Sequence, residues 1–296
     1  MSSSRSVVIT GAGGQVGLEA LDVFAAAGWD VHGFARTQLD VTDRAAVHDA
    51  VRSLRPDALV NLSAWNDVDG AEADPEGALA VNAMAVRFLR EAAHQSGARL
   101  CHVSTDYVFD GTKPTPYVEW DPVCPASAYG RSKAAGEAEL GVDDLCVRTS
   151  WVAGARGSNL VKTVLRLSAE PDRQLAFVSD QRGCPTFAAD LAGMLLALVS
   201  DGHTGIFHVT NARAVSWYEF VQEILSAAGH SPDRVRPITT AELDPPRPAP
   251  RPANSELAST ALRHAGFAPL RDFREALDDM VAEVRAREAT GPTASS

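Results

Sequence analysis

The chain is short of the features that mark secreted, membrane-spanning or nucleic-acid-binding proteins. Only four of its 296 residues are cysteine, and Cys101, Cys124, Cys146 and Cys184 form no CxxC pair. Such a set suits reduced thiols rather than a disulfide framework, and none of them reads as a nucleophile. Positive charge is scarce, with 27 Lys and Arg against 38 Asp and Glu for a formal net charge of -11. A surface of that sign repels phosphate backbones, and the cations are scattered among acids, so nucleic acid is not an expected partner. The longest apolar run, residues 191–199, is bounded by Asp190 and by Ser200-Asp201 and is too short to span a bilayer. No apolar segment accompanies Met1-Ser2-Ser3-Ser4-Arg5, so neither a signal peptide nor a membrane partner is expected and the reading is cytoplasmic. HExxH, GxSxG and clustered carboxylates are absent, and His203 and His208 only flank a turn. A catalytic metal and a serine triad are therefore not expected.

What is present is a rhythm. Val7-Val8-Ile9-Thr10 ends at glycines and is followed by a helical apolar pattern over residues 16–27, stopped by Gly28. A strand at residues 31–35, a helix opened by Thr42-Asp43 and broken before Pro56, and a third strand at 58–62 continue the alternation. A long helix over 75–96 leads to a strand at 99–104, and a helix over 127–140 leads to one at 145–149. Strands alternating with helices imply a parallel sheet covered on both faces. The expected fold is α/β, a Rossmann-like doubly wound sheet with a smaller C-terminal lobe. Residues 1–150 form the dinucleotide-binding part, which strands and helices around 175–210 rejoin. Residues 151–288 are mainly a substrate-binding lobe, and the ends, 1–5 and 289–296, read as disordered. The proline-rich stretch 244–252 can be neither helix nor inner strand, and leads to Asn254-Ser255, which reads as a helix cap.

Three motifs carry chemistry. Gly11, Gly14 and Gly17 fall between the first strand and its helix. There Gly11 opens a tight turn, Gly14 admits a pyrophosphate to the backbone, and Gly17 lets helix and strand pack closely. Thr105 ends the fourth strand at the carboxyl edge, where its hydroxyl can bond a substrate carbonyl, although threonine is also an ordinary strand residue. Tyr129 lies four residues ahead of Lys133 on one helical face, a spacing that lets the ammonium depress the phenol pKa so that the phenol exchanges a proton with a carbonyl. At the end of the second strand stands Arg36 where an NAD-specific enzyme usually has an acid. That favours a 2′-phosphate and hence NADPH, with NADH and a solvated arginine left open. Asp40 is read either as an acceptor for the adenine amino group or as a helix cap. Trp65, Trp120 and Trp151 are read first as packing residues, with Trp151 also a candidate lining for the substrate cleft.

In these residues the chain resembles the extended short-chain dehydrogenase/reductases, and within them the dTDP-4-dehydrorhamnose reductase family. The resemblance runs through Leu39-Asp40-Val41-Thr42-Asp43, Asn61, Val68-Asp69, Val81-Asn82-Ala83, Ser104-Thr105-Asp106-Tyr107-Val108-Phe109-Asp110-Gly111 and Tyr129-Gly130-Arg131-Ser132-Lys133. It continues through Arg148-Thr149-Ser150-Trp151-Val152, Asp180-Gln181-Arg182-Gly183-Cys184-Pro185-Thr186 and Arg251-Pro252, and covers nearly the whole chain. It implies Thr105, Tyr129 and Lys133 as the catalytic trio. It places Gly11, Gly14, Gln15, Val16, Gly17, Arg36, Asp40, Val41, Ser63, Ala64, Tyr129 and Lys133 around the dinucleotide. Asn66, Val68, Thr105, Tyr107, Tyr129, Trp151 and Arg251 would face a dTDP-sugar. The implied activity is reduction by NADPH of the C4 keto group of a dTDP-4-keto-6-deoxyhexose.

Two departures bear on that carry-over. Where the family commonly has a Thr after the third strand, this chain has Trp65-Asn66-Asp67-Val68, and Asn66 would present an amide to the sugar. Some relatives hold a metal at a dimer contact through acids; Glu19 matches one, but Ala189 stands where another is expected, so no such metal is implied and a homodimer is left open. The competing readings are a sugar-nucleotide epimerase or dehydratase of the same superfamily, and a non-catalytic NADP-binding regulatory subunit that supports a partner synthetase. Motifs do not decide the hexose, the stereochemistry at C4, the strictness of NADPH over NADH, or whether the product serves cell-wall rhamnose or a natural-product deoxysugar.

Overall fold

The computed structural model describes residues 4–170 and 173–290. Strands β1 (Ser6–Thr10), β2 (Asp30–Phe34), β3 (Ala58–Asn61), β4 (Arg99–Thr105) and β5 (Leu145–Thr149) form one sheet with a sixth strand, Gly205–His208. Across the sheet the order is β2, β1, β3, β4, β5 and then the sixth strand, and every neighbouring pair is parallel. The chain runs from β1 out to β2 and then crosses back over β1 to β3. Strand order therefore reverses beside β1, and in folds of this kind the ligand crevice lies there, at the carboxyl ends of the strands.

Period-two alternation assigns the side chains to two cores. Val7, Ile9 and Val60 pack with Phe24 of helix α1 (Gln15–Ala26) and with Leu191 and Leu195 of the helix Ala188–Asp201. On the other face Val8, Leu59 and Leu100 meet Val47 of helix α2 (Arg44–Leu54) and Leu89 of the helix Ala85–Ser96. Asp43 caps α2 by accepting from the N–H groups of Ala45 and Ala46 at 2.9 and 3.1 Å, and Arg55, in the left-handed region at φ 47°, ends it just before Pro56.

A third cluster makes the second lobe, in which Val161, Val164, Phe220, Ile224, Phe273 and Leu277 pack with Leu175 and Val235. Here the structure corrects an expectation. The strand Leu175–Val178 does not rejoin the main sheet but pairs in parallel with Val235–Ile238, because Leu175 is buried in this second cluster. The helix Ala188–Asp201 and the strand Gly205–His208, by contrast, do belong with the main sheet.

Three other expectations change. Residues 75–96 are not one α-helix: Pro75–Leu79 and Ala85–Ser96 are separated by a π turn, Ala80–Met84, which turns Asn82 fully inward. Asn254 and Ser255 cap no helix. They pin an extended segment, Asn254 Nδ2 donating to the Lys113 carbonyl at 2.8 Å and the Ser255 amide to the Arg182 carbonyl at 2.8 Å. At the ends, Arg5 donates to the Ser200 carbonyl at 3.0 Å and lies 4.5 Å over the Trp29 ring, and residues 289–290 continue the helix Phe273–Thr290. Residues 1–3 and 291–296 lie outside the described residues. Among the described residues no helix is long and apolar enough to cross a membrane.

The helix Ala128–Ala138, which carries Tyr129 and Lys133, is held closer than ordinary side chains permit. Ser127 caps it by accepting from the Gly130 amide at 3.1 Å. A Cβ on Gly130 would lie 2.2 Å from the Tyr107 carbonyl oxygen, and one on Gly136 would lie 2.0 Å from the Asn82 carbonyl oxygen. Toward β5, Glu137 accepts from Arg148 at 2.6 to 3.2 Å, an ion pair 3% and 9% exposed at its two side chains. In an exposed helix Gly→Ala would add about 1 kcal/mol of stability. Here backbone must move, so Gly136→Ala should destabilise by roughly 1 to 3 kcal/mol. A urea titration reads the sign, and a higher midpoint for the variant would sink the close-contact argument.

Candidate active site

Three neighbouring strands carry hydrogen-bonding side chains at matching register, at the ends of β1 and β3 and in the middle of β4. Thr10 of β1 lies opposite Asn61 of β3, and Asn61 opposite His102 of β4. All three are at most 1% exposed. Thr10 Oγ1 and the Ser63 amide donate to Asn61 Oδ1 at 2.8 and 3.0 Å. Asn61 Nδ2 lies 2.9 Å from His102 Nδ1, and His102 Nε2 lies 3.2 Å from Lys133 Nζ. Lys133 also donates to the Val103 carbonyl at 2.7 Å. Buried polar groups need partners, and this row supplies them from strand to strand.

Thr105, Tyr107 and Tyr129 converge where β4 ends. Thr105 Oγ1 donates to Asp106 Oδ1 at 2.9 Å and accepts from the Tyr107 amide at 3.2 Å. The Thr105 hydroxyl is near enough to the Tyr129 phenol to favour its ionised form. The rings of Tyr107 and Tyr129 meet edge to face, with centroids 5.5 Å apart. Burial dominates the protonation of the group: it pushes the Tyr129 phenol up to about 12, raises Tyr107, and pushes Asp106 up to about 6. Burial also brings Lys133 down to about 8.

The expectation that Lys133 depresses the Tyr129 phenol is therefore corrected. The amine is drawn down toward Val103 and His102 of β4, and desolvation of the phenolate outweighs the influence of Thr105. At neutral pH Tyr129 is a protonated donor.

The dinucleotide set assembles around the switch point. Gly11, at φ 67°, abuts the loop after β3: a Cβ there would lie 2.6 Å from Leu62 and 2.7 Å from the Ser63 amide. Gly17 lies so close that a Cβ would be 2.3 Å from the Gly11 carbonyl oxygen. Gly14 caps α1 without any side-chain bond, so the helix terminus presents backbone N–H groups. Ser63 and Ala64 follow at the rim, and Val16 packs against the core. Arg36 is exposed after β2 and close enough to Asp40 to lower it. Asp40 accepts from the Thr42 amide and hydroxyl at 2.9 and 2.7 Å, while Asp43 does the capping. Two side chains turn away from the crevice. Val41 is buried with Leu39 and Val47, leaving only its backbone to a ligand. Gln15 Oε1 accepts from the Gly154 amide and Asn159 Nδ2 at 2.9 and 2.7 Å, fastening the glycine turn to the second lobe. Glu19 is ion-paired with Arg156 at 3.0 Å.

Of the residues expected to face a substrate, Val68 packs with Trp65, Tyr107, Tyr129 and Ala128, and Asn66 is exposed beside them. Arg251 donates to Asp69 at 2.9 Å and to the Ala249 carbonyl at 3.0 Å, which ties the proline-rich arm to the loop after β3. Trp151, at φ 47°, stacks on Trp217 with centroids 3.5 Å apart and lies where a Cβ on Gly183 would be, 2.6 Å away. A bulky residue in the left-handed region is costly, and such backbone clusters at ligand sites. Trp120, read as a packing residue, is instead 70% exposed.

Sequence reasoning did not single out His102 or Trp217, and it took Asn82 only as part of a motif. Asn82 accepts from the Trp65 amide at 2.8 Å and donates to the Trp65 carbonyl and Ser132 Oγ at 3.0 and 2.9 Å. The signal for His102 was a polar side chain inside an apolar strand.

Residues 5–286 match the family model described as RmlD substrate binding domain. A dTDP-4-dehydrorhamnose reductase of Mycolicibacterium smegmatis is 42% identical, covering 99% of this chain and 90% of the relative. A probable dTDP-4,6-dihydroxy-2-methyloxan-3-one 4-ketoreductase of Streptomyces antibioticus is 40% identical over 95% of this chain and 96% of its own. Among solved structures, a dTDP-4-dehydrorhamnose reductase of Bacillus anthracis in complex with NADP superposes with a TM-score of 0.90, at 35% identity over 95% of this chain and 99% of that one. With its glycine turn, its six-stranded parallel sheet and a match running from residue 5 to residue 286, the chain belongs to the RmlD substrate binding domain family.

Proposed function

We propose that the protein is an NADPH-dependent reductase of the C4 keto group of a dTDP-4-keto-6-deoxyhexose, of the dTDP-4-dehydrorhamnose reductase type, working in deoxysugar biosynthesis. The observation that carries this reading is the pair of buried hydroxyls, Thr105 and Tyr129, 7% and 9% exposed, at the carboxyl edge of the sheet beside the switch point. The names of the relatives supply the substrate class.

The residues present fit a dinucleotide. The uncapped terminus of α1 and the side-chain-free turn at Gly11 to Gly14 suit a pyrophosphate, and Arg36 suits a 2′-phosphate. Ser63 and Ala64 line the same crevice, with Asp40 and the Val41 backbone at its adenine end. When bound, NADPH supplies the hydride. The chain's own groups then do three things. Thr105 and Tyr129 polarise the carbonyl oxygen, and the neutral phenol gives its proton to the oxygen as negative charge develops there. Lys133, as an ammonium, steadies the phenolate left behind and would help to hold the cofactor. Val68, Tyr107 and Trp151 close apolar surface over the sugar and exclude water, with Asn66 and Arg251 as polar contacts at the rim.

We assign the dinucleotide to the half built on the six-stranded sheet and the sugar nucleotide to the seam with the second lobe. Four free cysteines, three of them buried, suit a reducing compartment, and the cytoplasm is the expected location.

The direct test is loss of NADPH absorbance on adding dTDP-4-keto-6-deoxyglucose, with and without a 3,5-epimerase. Turnover that requires the epimerase identifies a 4-keto-rhamnose reductase; no turnover in either arm counts against the reading. Tyr129→Phe should lower kcat by about 10²- to 10⁴-fold with NADPH binding intact by fluorescence, the size expected for one proton donor. Near-normal turnover in that variant would remove Tyr129 from the role. Because Lys133 is brought down to about 8, its charge is present below that pH and lost above it, so kcat/KM should decline on an alkaline limb near pH 8. A flat profile through that region would contradict the part given to the ammonium.

A further inference from the structure

The row that ends at Lys133 has a direction, fixed by one backbone group. The Ser63 amide can only donate, and it donates to Asn61 Oδ1 at 3.0 Å, as does the Thr10 hydroxyl at 2.8 Å. Asn61 must therefore present Nδ2, a donor, to His102 Nδ1 at 2.9 Å. His102 Nδ1 then accepts, and the hydrogen of the neutral imidazole sits on Nε2, facing Lys133 Nζ at 3.2 Å. An ammonium has three N–H groups and no acceptor, whereas an amine has a lone pair to receive this one.

We propose that Asn61 and His102 are positioning residues that bias Lys133 toward its neutral amine, by fixing His102 as the Nε2–H tautomer whose N–H points at Nζ. The neutral amine accepts from His102 and donates to the Val103 carbonyl at 2.7 Å, so both contacts are satisfied. The ammonium sets two donors against each other in a buried site, where that conflict is strongest. His102 is 0% exposed, and burial together with the Lys133 charge holds it well below its ordinary value, so it stays a neutral imidazole with one hydrogen.

The other groups around Nζ do not replace this effect. From β4 come His102 and Cys101, and from β5 Cys146 and Arg148; the two thiols are raised by burial and stay neutral. The π turn contributes only the uncharged Asn82. On its own helix Lys133 shares a face with Tyr129, a neutral phenol, while Glu137, which is engaged by Arg148 at 2.6 Å, favours the ammonium and so acts against the bias. Lys133 holds its ammonium to higher pH once other acceptors, a ribose hydroxyl or the Tyr129 phenolate, take the place of His102. The pair thus links the protonation of Lys133 to occupation of the site.

This inference rests on the part given to Lys133 above, but its first test needs no turnover. Two-bond proton–nitrogen correlation spectra of the 15N-labelled, cofactor-free protein report the tautomer of each imidazole, and the signal missing from His102→Gln identifies this one. The expected result is a protonated Nε2 and a bare Nδ1 at neutral pH; hydrogen on Nδ1 overturns the proposal. In His102→Gln the amide can turn an oxygen toward Nζ, so the alkaline limbs of kcat/KM and of NADP affinity should both rise by about one pH unit. Unmoved limbs in a folded variant overturn it as well. If that variant does not fold, the tautomer in the wild-type protein decides alone, its signal assigned through a folded Asn61→Asp variant that shifts it. Absence of turnover with an intact Nε2–H tautomer would count against the reductase reading and not against this one.

Discussion

The site depends on a steric limit. The helix that carries Tyr129 and Lys133 lies between the Tyr107 carbonyl and the Asn82 turn, at distances that admit hydrogen and no methyl group at Gly130 and Gly136. That approach brings Lys133 down to the strand row and Tyr129 beside Thr105 at the end of β4. It also explains why the preceding helical segment departs from α geometry. The π turn at Ala80–Met84 turns Asn82 into the gap, where its amide bonds the Trp65 backbone and Ser132 at once.

Close packing sets the electrostatics. Water is excluded from the end of β4, so burial becomes the largest influence on every titratable group there, and it acts in opposite directions on acids and bases. It keeps the phenol protonated and eases the proton off the lysine. A reductase needs a protonated donor beside the carbonyl oxygen, and burial provides one without a charged neighbour. The Arg148–Glu137 pair at the far end of the helix is nearly as buried, but its charges are matched and bonded several times over, which suits a structural tie between helix and β5.

The second lobe meets the first through a few specific contacts. Gln15 joins the glycine turn to Gly154 and Asn159, Arg251 joins the proline-rich arm to Asp69, and the Trp151–Trp217 stack bridges from the end of β5 to the second hydrophobic cluster. Most of these involve residues the resemblance marks as ligand contacts. The same side chains thus tie the lobes together.

Local patterns determined what local physics controls. Apolar alternation and the glycine turn in the sequence already specified β1 to β5, their parallel sheet, the cap at Asp43 and the order of Thr105, Tyr129 and Lys133. Each of these depends on neighbours within a few residues or on a two-residue or four-residue repeat. Only the tertiary structure decided the rest. The strand Leu175–Val178 took its partner from residues 235–238, Asn82 became a buried link, and the row from Thr10 through Asn61 to His102 formed from three strands lying 41 and 51 residues apart in the chain. The tertiary fold also put burial in place of the expected influence of Lys133 on Tyr129. A four-residue spacing puts two side chains on one face, but the neighbours that surround that face decide where an amine points and how much water it keeps.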